Sequence, residues 1–210
     1  MPNWVRNVVM FTCSSERLND IRSTLKSEDR VFDFNKLIPM PESLKLDEGS
    51  HADKAEECYR AYIMDNEQRT KEKYKISDDA FEELKREGKI YASNREKYGH
   101  RSWYSWCCEN WGTKWNAREP QWVDNDTIVF ETAWDCPKPI FKKLAETFPD
   151  IGIFVKYADE DIGFNCGTLE YADGELYAVD IEPDGSYDFA FDVWDYDDDS
   201  RKEFLEEIGE

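Results

Sequence analysis

TIVFETAWDCPKPIFKKLAETFPDIGIFVKYA, residues 127–158, decides how the rest of the chain is read. TIVFETAW combines β-branched and aromatic residues as strands do. Pro137 suits the first turn of a helix, where its missing N–H costs nothing. Ile140, Phe141, Leu144 and Phe148 then recur along one helical face. IGIFVKYA returns to strand chemistry, so the stretch reads β-α-β.

The same order occurs near the start of the sequence. WVRNVVMFT (residues 4–12) predicts a strand, Ser14, Ser15 and Glu16 open a helix carrying Leu18, Ile21 and Leu25, and Val31, Phe32 and Phe34 predict a short second strand. Pro39 and Pro41 end it, since proline continues neither a ladder nor a helix. Two β-α-β units predict an α+β chain with the split βαβ sheet of a ferredoxin-like fold, its core formed by residues 1–41 and 121–160 of a single domain spanning 1–210.

Between them, residues 42–120 predict a helical insertion. HADKAEECYRAYIMDNEQRTKEKY reads as one charged helix. A second has Ser77 as N-cap and Gly88 just past its end, and a third runs to about Gly112. Residues 161–210 predict an acidic extension: a β-hairpin turning at Asp173-Gly174, a further strand in DFAFDVWDYD, and a closing helix in SRKEFLEEI. With both core helices on one sheet face, the insertion is the expected cover for the other.

The formal charge of −20 is unevenly placed. Residues 157–210 hold 19 Asp and Glu against Arg201 and Lys202, a net of −17, whereas residues 1–156 are close to balanced at −3. Such an extension repels phosphate, so nucleic acid and anionic membrane are disfavoured as its direct partners, and a protein with a basic surface is favoured. No apolar run reaches the ~18 residues of a membrane span. The start of the chain has no cleavable signal, and a cytoplasmic location is expected. Six cysteines without a secretion signal are expected to be free thiols.

WYSWCCENWGTKWNAREPQW, residues 103–122, concentrates five of the eight tryptophans. Burial as anchors of the insertion is the first expectation for Trp103, Trp106, Trp111, Trp115 and also Trp134. The second is an exposed surface of Trp111, Lys114, Trp115 and Arg118, helped by Arg95, Lys97 and Arg101, on which bases could stack.

MPNWVRN, FDFNKLIPMPESL, WGTKWNA and FETAWDCPKPIFKKLAETFPD together resemble the YubB-like family of phage- and plasmid-borne proteins. The resemblance spans most of the chain and implies a ferredoxin-like domain and a mobile-element origin, but it supplies no catalytic residues. Residues 184–210 match least.

No Walker loop, GxGxxG, HExxH or GxSxG occurs, and the two histidines, His51 and His100, stand outside any catalytic motif. Asp195, Asp197, Asp199 and Glu206 have the count of a calcium loop, but Ser200 replaces its glycine. Ser200 with Glu203 instead predicts a capping box for the last helix. No cofactor and no metal is expected.

The leading expectation is therefore a non-enzymatic binding protein of mobile-element origin that inhibits a host nucleic-acid-handling or defence complex. Its partner surface would be Asp188, Asp192, Asp195, Asp197, Asp198 and Asp199, with carboxylates displayed in strand rows. The alternatives are a nucleic-acid binder using the sheet face and the tryptophan-rich loop, and an enzyme or metal-binding protein.

Overall fold

The computed structural model describes residues 2–209. Strand β1 (Trp4–Thr12) buries Val5, Asn7, Val9 and Phe11 while Trp4, Arg6, Val8 and Met10 stay half-buried, the period-2 signature of a strand between two layers. Helix α1 (Ser15–Leu25) is capped by the Ser14 side chain, which accepts the Arg17 N–H, and buries Ile21 and Leu25.

No strand follows. Phe34–Lys36 is a 3-10 turn because the Asp33 carboxylate takes the Asn35 N–H at 3.0 Å and an Asn116 amide hydrogen at 2.7 Å, a local alternative to ladder bonds. Phe32 and Phe34 are buried all the same, edge-on to each other and to Phe130. The strand expected at Val31–Phe34 is replaced by β2 (Arg118–Trp122), which pairs antiparallel with β3 (Thr127–Ala133). β2 contains Pro120 and a register shift between Arg118 and Gln121, both tolerated because it lies at a sheet edge.

Helix α6 (Lys138–Thr147) buries Ile140, Phe141 and Leu144, and β4 (Gly152–Asp159) follows. β1 pairs antiparallel with β3 on one side and with β4 on the other. The sheet is completed by β5 (Gly167–Ala172) and β6 (Glu175–Ile181), in the order β2-β3-β1-β4-β5-β6. Strands β1, β2, β3 and β4 with α1 and α6 make a β-α-β-β-α-β unit ordered 2-3-1-4, and β5-β6 extends it. The fold is ferredoxin-like.

DFAFDVWDYD is not a strand. Tyr187–Trp194 forms helix α7, and Asp198–Ile208 forms α8. Ala190, Phe191 and Val193 of α7 pack with Ala158, Ile162 and Cys166, joined by Val8 of β1 and by Phe204 and Leu205 of α8. The sheet face opposite Val5 and Val9 thus receives its cover from α7.

The chain divides into two compact units, residues 1–39 with 110–210 and residues 40–109. The second unit contains α2 (Ser50–Met64), α3 (Glu67–Tyr74), α4 (Asp78–Tyr98) and most of α5 (Trp103–Asn110). The single charged helix expected over residues 51–74 is two helices, broken where the Asn66 side chain caps α3 by accepting the Arg69 N–H.

Gly88 does not end its helix: α4 continues to Tyr98, and Gly99 at φ +79° provides the left-handed stop. Gly88 is instead where α2 comes closest, since a Cβ there would lie 2.1 Å from the Ala55 carbonyl oxygen. Ala52, Ala55, Cys58, Phe81, Leu84 and Tyr91 form the core of this unit.

Candidate interaction surfaces

The tryptophan-rich segment is divided between roles. Trp106 and Trp111 are buried and Trp103 is half-buried, but Trp115 and Trp134 are 39% and 44% exposed, so most of the five are not buried anchors. Trp111 is fixed by its Nε1–H, which donates to the Ile38 carbonyl at 2.9 Å, and by an edge contact with Phe34. Gly112, at φ +78°, turns the chain where a Cβ would meet Pro139 Cδ at 2.7 Å. The Thr113 hydroxyl then donates to the Ala133 carbonyl and accepts its N–H.

These bonds present Lys114 outward. Its ammonium lies 3.8 Å from the centre of the Trp115 ring and 4.2 Å from that of Trp134. Trp134 itself sits at φ +74°, held by its N–H to the Asn3 carbonyl and by Asn165 Nδ2 donating to its own carbonyl. Trp115 continues to Trp4 at 5.8 Å, and the Arg118 guanidinium covers Trp4 at 4.4 Å.

The result is a half-exposed row of alternating rings and cations. It uses its own charges internally. Arg118 is bonded to Glu131 and also pairs with Glu119, and Lys114 is occupied by two rings. Burial raises the Glu131 carboxyl above its ordinary value despite the opposing charge of Arg118. The other bases grouped with this segment from sequence, Arg95, Lys97 and Arg101, belong to the helical unit, where Arg95 and Arg101 pair with Glu56.

The acidic residues are built differently from the expected strand rows. Asp188 and Asp192 are one helical turn apart on the exposed side of α7, while Phe191 and Val193 point inward. The helix is pinned by Trp194 Nε1–H, shared between the Ala158 and Asp159 carbonyls. Asp195 ends it in the left-handed region at φ +60°, which aspartate tolerates.

Asp197, not Ser200, is the N-cap of α8: its carboxylate accepts the Ser200 N–H at 2.8 Å, and that bond holds its carboxyl below the ordinary value. Asp192 is bonded to Arg201 at 2.7 Å. Asp188, Asp195, Asp198 and Asp199 are exposed, and among the described residues none lies within ion-pair distance of a Lys or Arg.

Residues 110–201 match the family model described as "Ferredoxin-like domain in Api92-like protein". The matched region contains the ring-cation row except Trp4, and the acidic turn between α7 and α8, and leaves out the whole helical unit. A solved structure, protein api92 from Yersinia pseudotuberculosis, is similar over 87% of this chain and 99% of that one, with 9% identity and a TM-score of 0.46. No curated protein matches.

One arrangement escaped sequence reasoning. In the helical unit the buried Glu56 carboxylate accepts from Arg60 at 2.6 Å and Arg95 at 2.6 Å, and pairs with Arg101 at 3.4 Å. Arg101 also pairs with Asp53 at 2.6 Å and with Glu48, which is bonded in turn to the Ser102 hydroxyl. Burial raises the Glu56 carboxyl, and the surrounding guanidiniums outweigh that and hold it below its ordinary value. Only the Glu56-Arg60 spacing of four was visible in the sequence; the other arginines arrive through folding. Every arginine of the cluster has a carboxylate, so it closes on itself as an ion network.

Burial pushes the Cys136 thiol well above its usual range, Cys107 up to about 12 and Cys166 up to about 11. His51 bonds Glu87 at 2.6 Å, and His100 bonds Ser105 at 3.0 Å and pairs with Glu109. Among the described residues, no three His, Cys, Asp or Glu side chains are grouped so as to hold a metal ion, and no helix is long and apolar enough to cross a membrane.

Proposed function

We propose that this chain is a non-enzymatic binding protein of phage or plasmid origin whose acidic C-terminal surface engages a basic, nucleic-acid-handling host protein. The observation that carries the reading is the division of α7 and α8 into two sides. Phe191, Val193 and Phe204 hold the helices to the sheet, and Asp188, Asp195, Asp198 and Asp199 project to solvent with no Lys or Arg in ion-pair distance among the described residues. Carboxylates crowded at net −17 repel one another, a cost that a basic partner would relieve. The resemblance to mobile-element proteins supports the origin. The raised thiols speak against Cys107 and Cys136 as nucleophiles.

The test compares the wild-type chain with Asp188→Asn, Asp195→Asn, Asp198→Asn and Asp199→Asn combined. These four changes spare the Asp197 cap and the Asp192-Arg201 pair. Capture from host lysate should recover a protein of pI above about 9. That protein should be released as salt rises from about 50 to about 200 mM, and the quadruple variant should not retain it. A basic protein captured equally by the variant, or none captured at all, refutes the proposal.

A further inference from the structure

Strand β6 is the sheet's open side. All seven of its residues are exposed, and among the described residues no strand pairs with it beyond β5. The opposite edge, β2, is blunted by Pro120, whereas β6 contains neither proline nor lysine, and its one register shift lies at Tyr177, leaving Ala178–Ile181 in regular pairing with β5. Its backbone groups are assignable. Glu182 donates its N–H to the Cys166 carbonyl, so the alternation of an antiparallel ladder turns Asp180 and Ala178 toward β5, and Val179 and Ile181 away from it.

The register sorts the side chains equally cleanly. Leu176, Val179 and Ile181 lie opposite Tyr171, Leu169 and Gly167 on one face, 50%, 49% and 70% exposed. Glu175, Ala178 and Asp180 lie opposite Ala172, Glu170 and Thr168 on the other. The extra residue at the register shift is Tyr177, 77% exposed. A strand added here would therefore meet an apolar row on one face and a carboxylate row on the other.

We propose that the β6 edge accepts, as a seventh strand, an extended segment of a partner protein in which apolar residues alternate with Lys or Arg. Val179 and Ile181 offer it two N–H donors and two carbonyl acceptors, the main-chain part of strand addition. Glu170, Glu175 and Asp180 select its basic residues, and Leu176, Val179 and Ile181 select the apolar ones. A second copy is the poorer occupant, because it would bring another −20 and set its own Glu175 and Asp180 along the same face. This inference rests on the reading that the acidic quarter binds a basic protein, and adds the mode and the chemistry of the segment.

The probe is a labelled peptide alternating lysine with valine, with a glutamate-valine peptide as its counterpart, each titrated into the full chain. The lysine peptide should bind, slow amide exchange at Val179 and Ile181 tenfold or more, and lose at least tenfold in affinity to Val179→Pro. That change removes an outward donor and leaves the bonds to β5. Should Val179→Pro fail to fold, Val179→Lys with Ile181→Lys serves, by placing cations where the peptide's apolar row docks.

Equal binding of the glutamate peptide, or binding without protection of those two amides, overturns the inference. So does concentration-dependent self-association that protects them without peptide. If the captured host protein is lost by the quadruple asparagine variant but kept by Val179→Pro, the acidic surface stands and the edge inference fails.

Discussion

Phe191→Ala should detach the acidic helices from the sheet. The Phe191 side chain is fully buried, with the Tyr196 ring 5.3 Å away, the Phe204 ring 5.5 Å away edge-on, and the Arg201 guanidinium over it at 5.7 Å. Phenylalanine truncation in a core costs about 3–5 kcal/mol, from lost transfer energy and the cavity left behind. Here the upper half of that range applies, because one ring joins α7 to α8 as well as to Ala158 of β4 and cannot be replaced by collapse of a single neighbour.

Against a total stability of about 5–15 kcal/mol, the loss is large enough to read as a clear fall in urea midpoint. Exchange should separate local from global loss. Amides of α7 and α8 should lose protection before those of β1 and β4, since α8 has no buried residue of its own and depends on that ring cluster. A midpoint within about 1 kcal/mol of wild type, or uniform loss of protection over the whole sheet, would refute the assignment of Phe191 as the joint.

Gly88→Ala should destabilise the helical unit, although alanine is intrinsically the better helix former by about 1 kcal/mol; the new Cβ meets the Ala55 carbonyl at 2.1 Å, and thermal denaturation followed by helical ellipticity should show a lower midpoint. Acid should weaken the same unit through Glu56. Its carboxyl is held below the ordinary value when folded, so its contribution is complete above the unfolded value of about 4.3 and is lost as pH falls through the lower folded one. Urea midpoints measured from neutral pH downward should fall over that window, and Glu56→Gln should be less stable at neutral pH and show a shallower acid slope.

The β-α-β run of residues 127–158 was legible because pattern and place agree. Ile128 and Phe130 are central-strand residues, and Ile140, Phe141 and Leu144 form one helical stripe over them. Strand β2 was not, because REPQW has a proline and three polar residues, a composition that only an edge permits. DFAFDVW misled for the opposite reason. Phe189, Phe191 and Val193 alternate as in a strand, while Ala190, Phe191, Val193 and Trp194 also suit a helix, and a run this short satisfies both periods.

At the candidate surfaces, the acidity of the final quarter was plain in the sequence, but the division of labour within it was not. Capping by Asp197 and pairing of Asp192 with Arg201 depend on where α7 stops. The exposure of Trp115 and Trp134 was hidden for a similar reason, since the one cation that covers both rings, Lys114, is placed by a tight turn at Gly112.

The position of β1 between β3 and β4 has a consequence for synthesis. Both neighbours of the central strand are made long after it, with Val5 and its bonded partner Thr132 127 residues apart. At about 5–20 residues per second, β1 waits roughly 6–25 s for its first ladder. During that wait the contiguous residues 40–109 emerge and can complete their own helical core. A nascent chain arrested before residue 127 would then hold a finished helical unit beside an unpaired apolar strand, the state most in need of a chaperone.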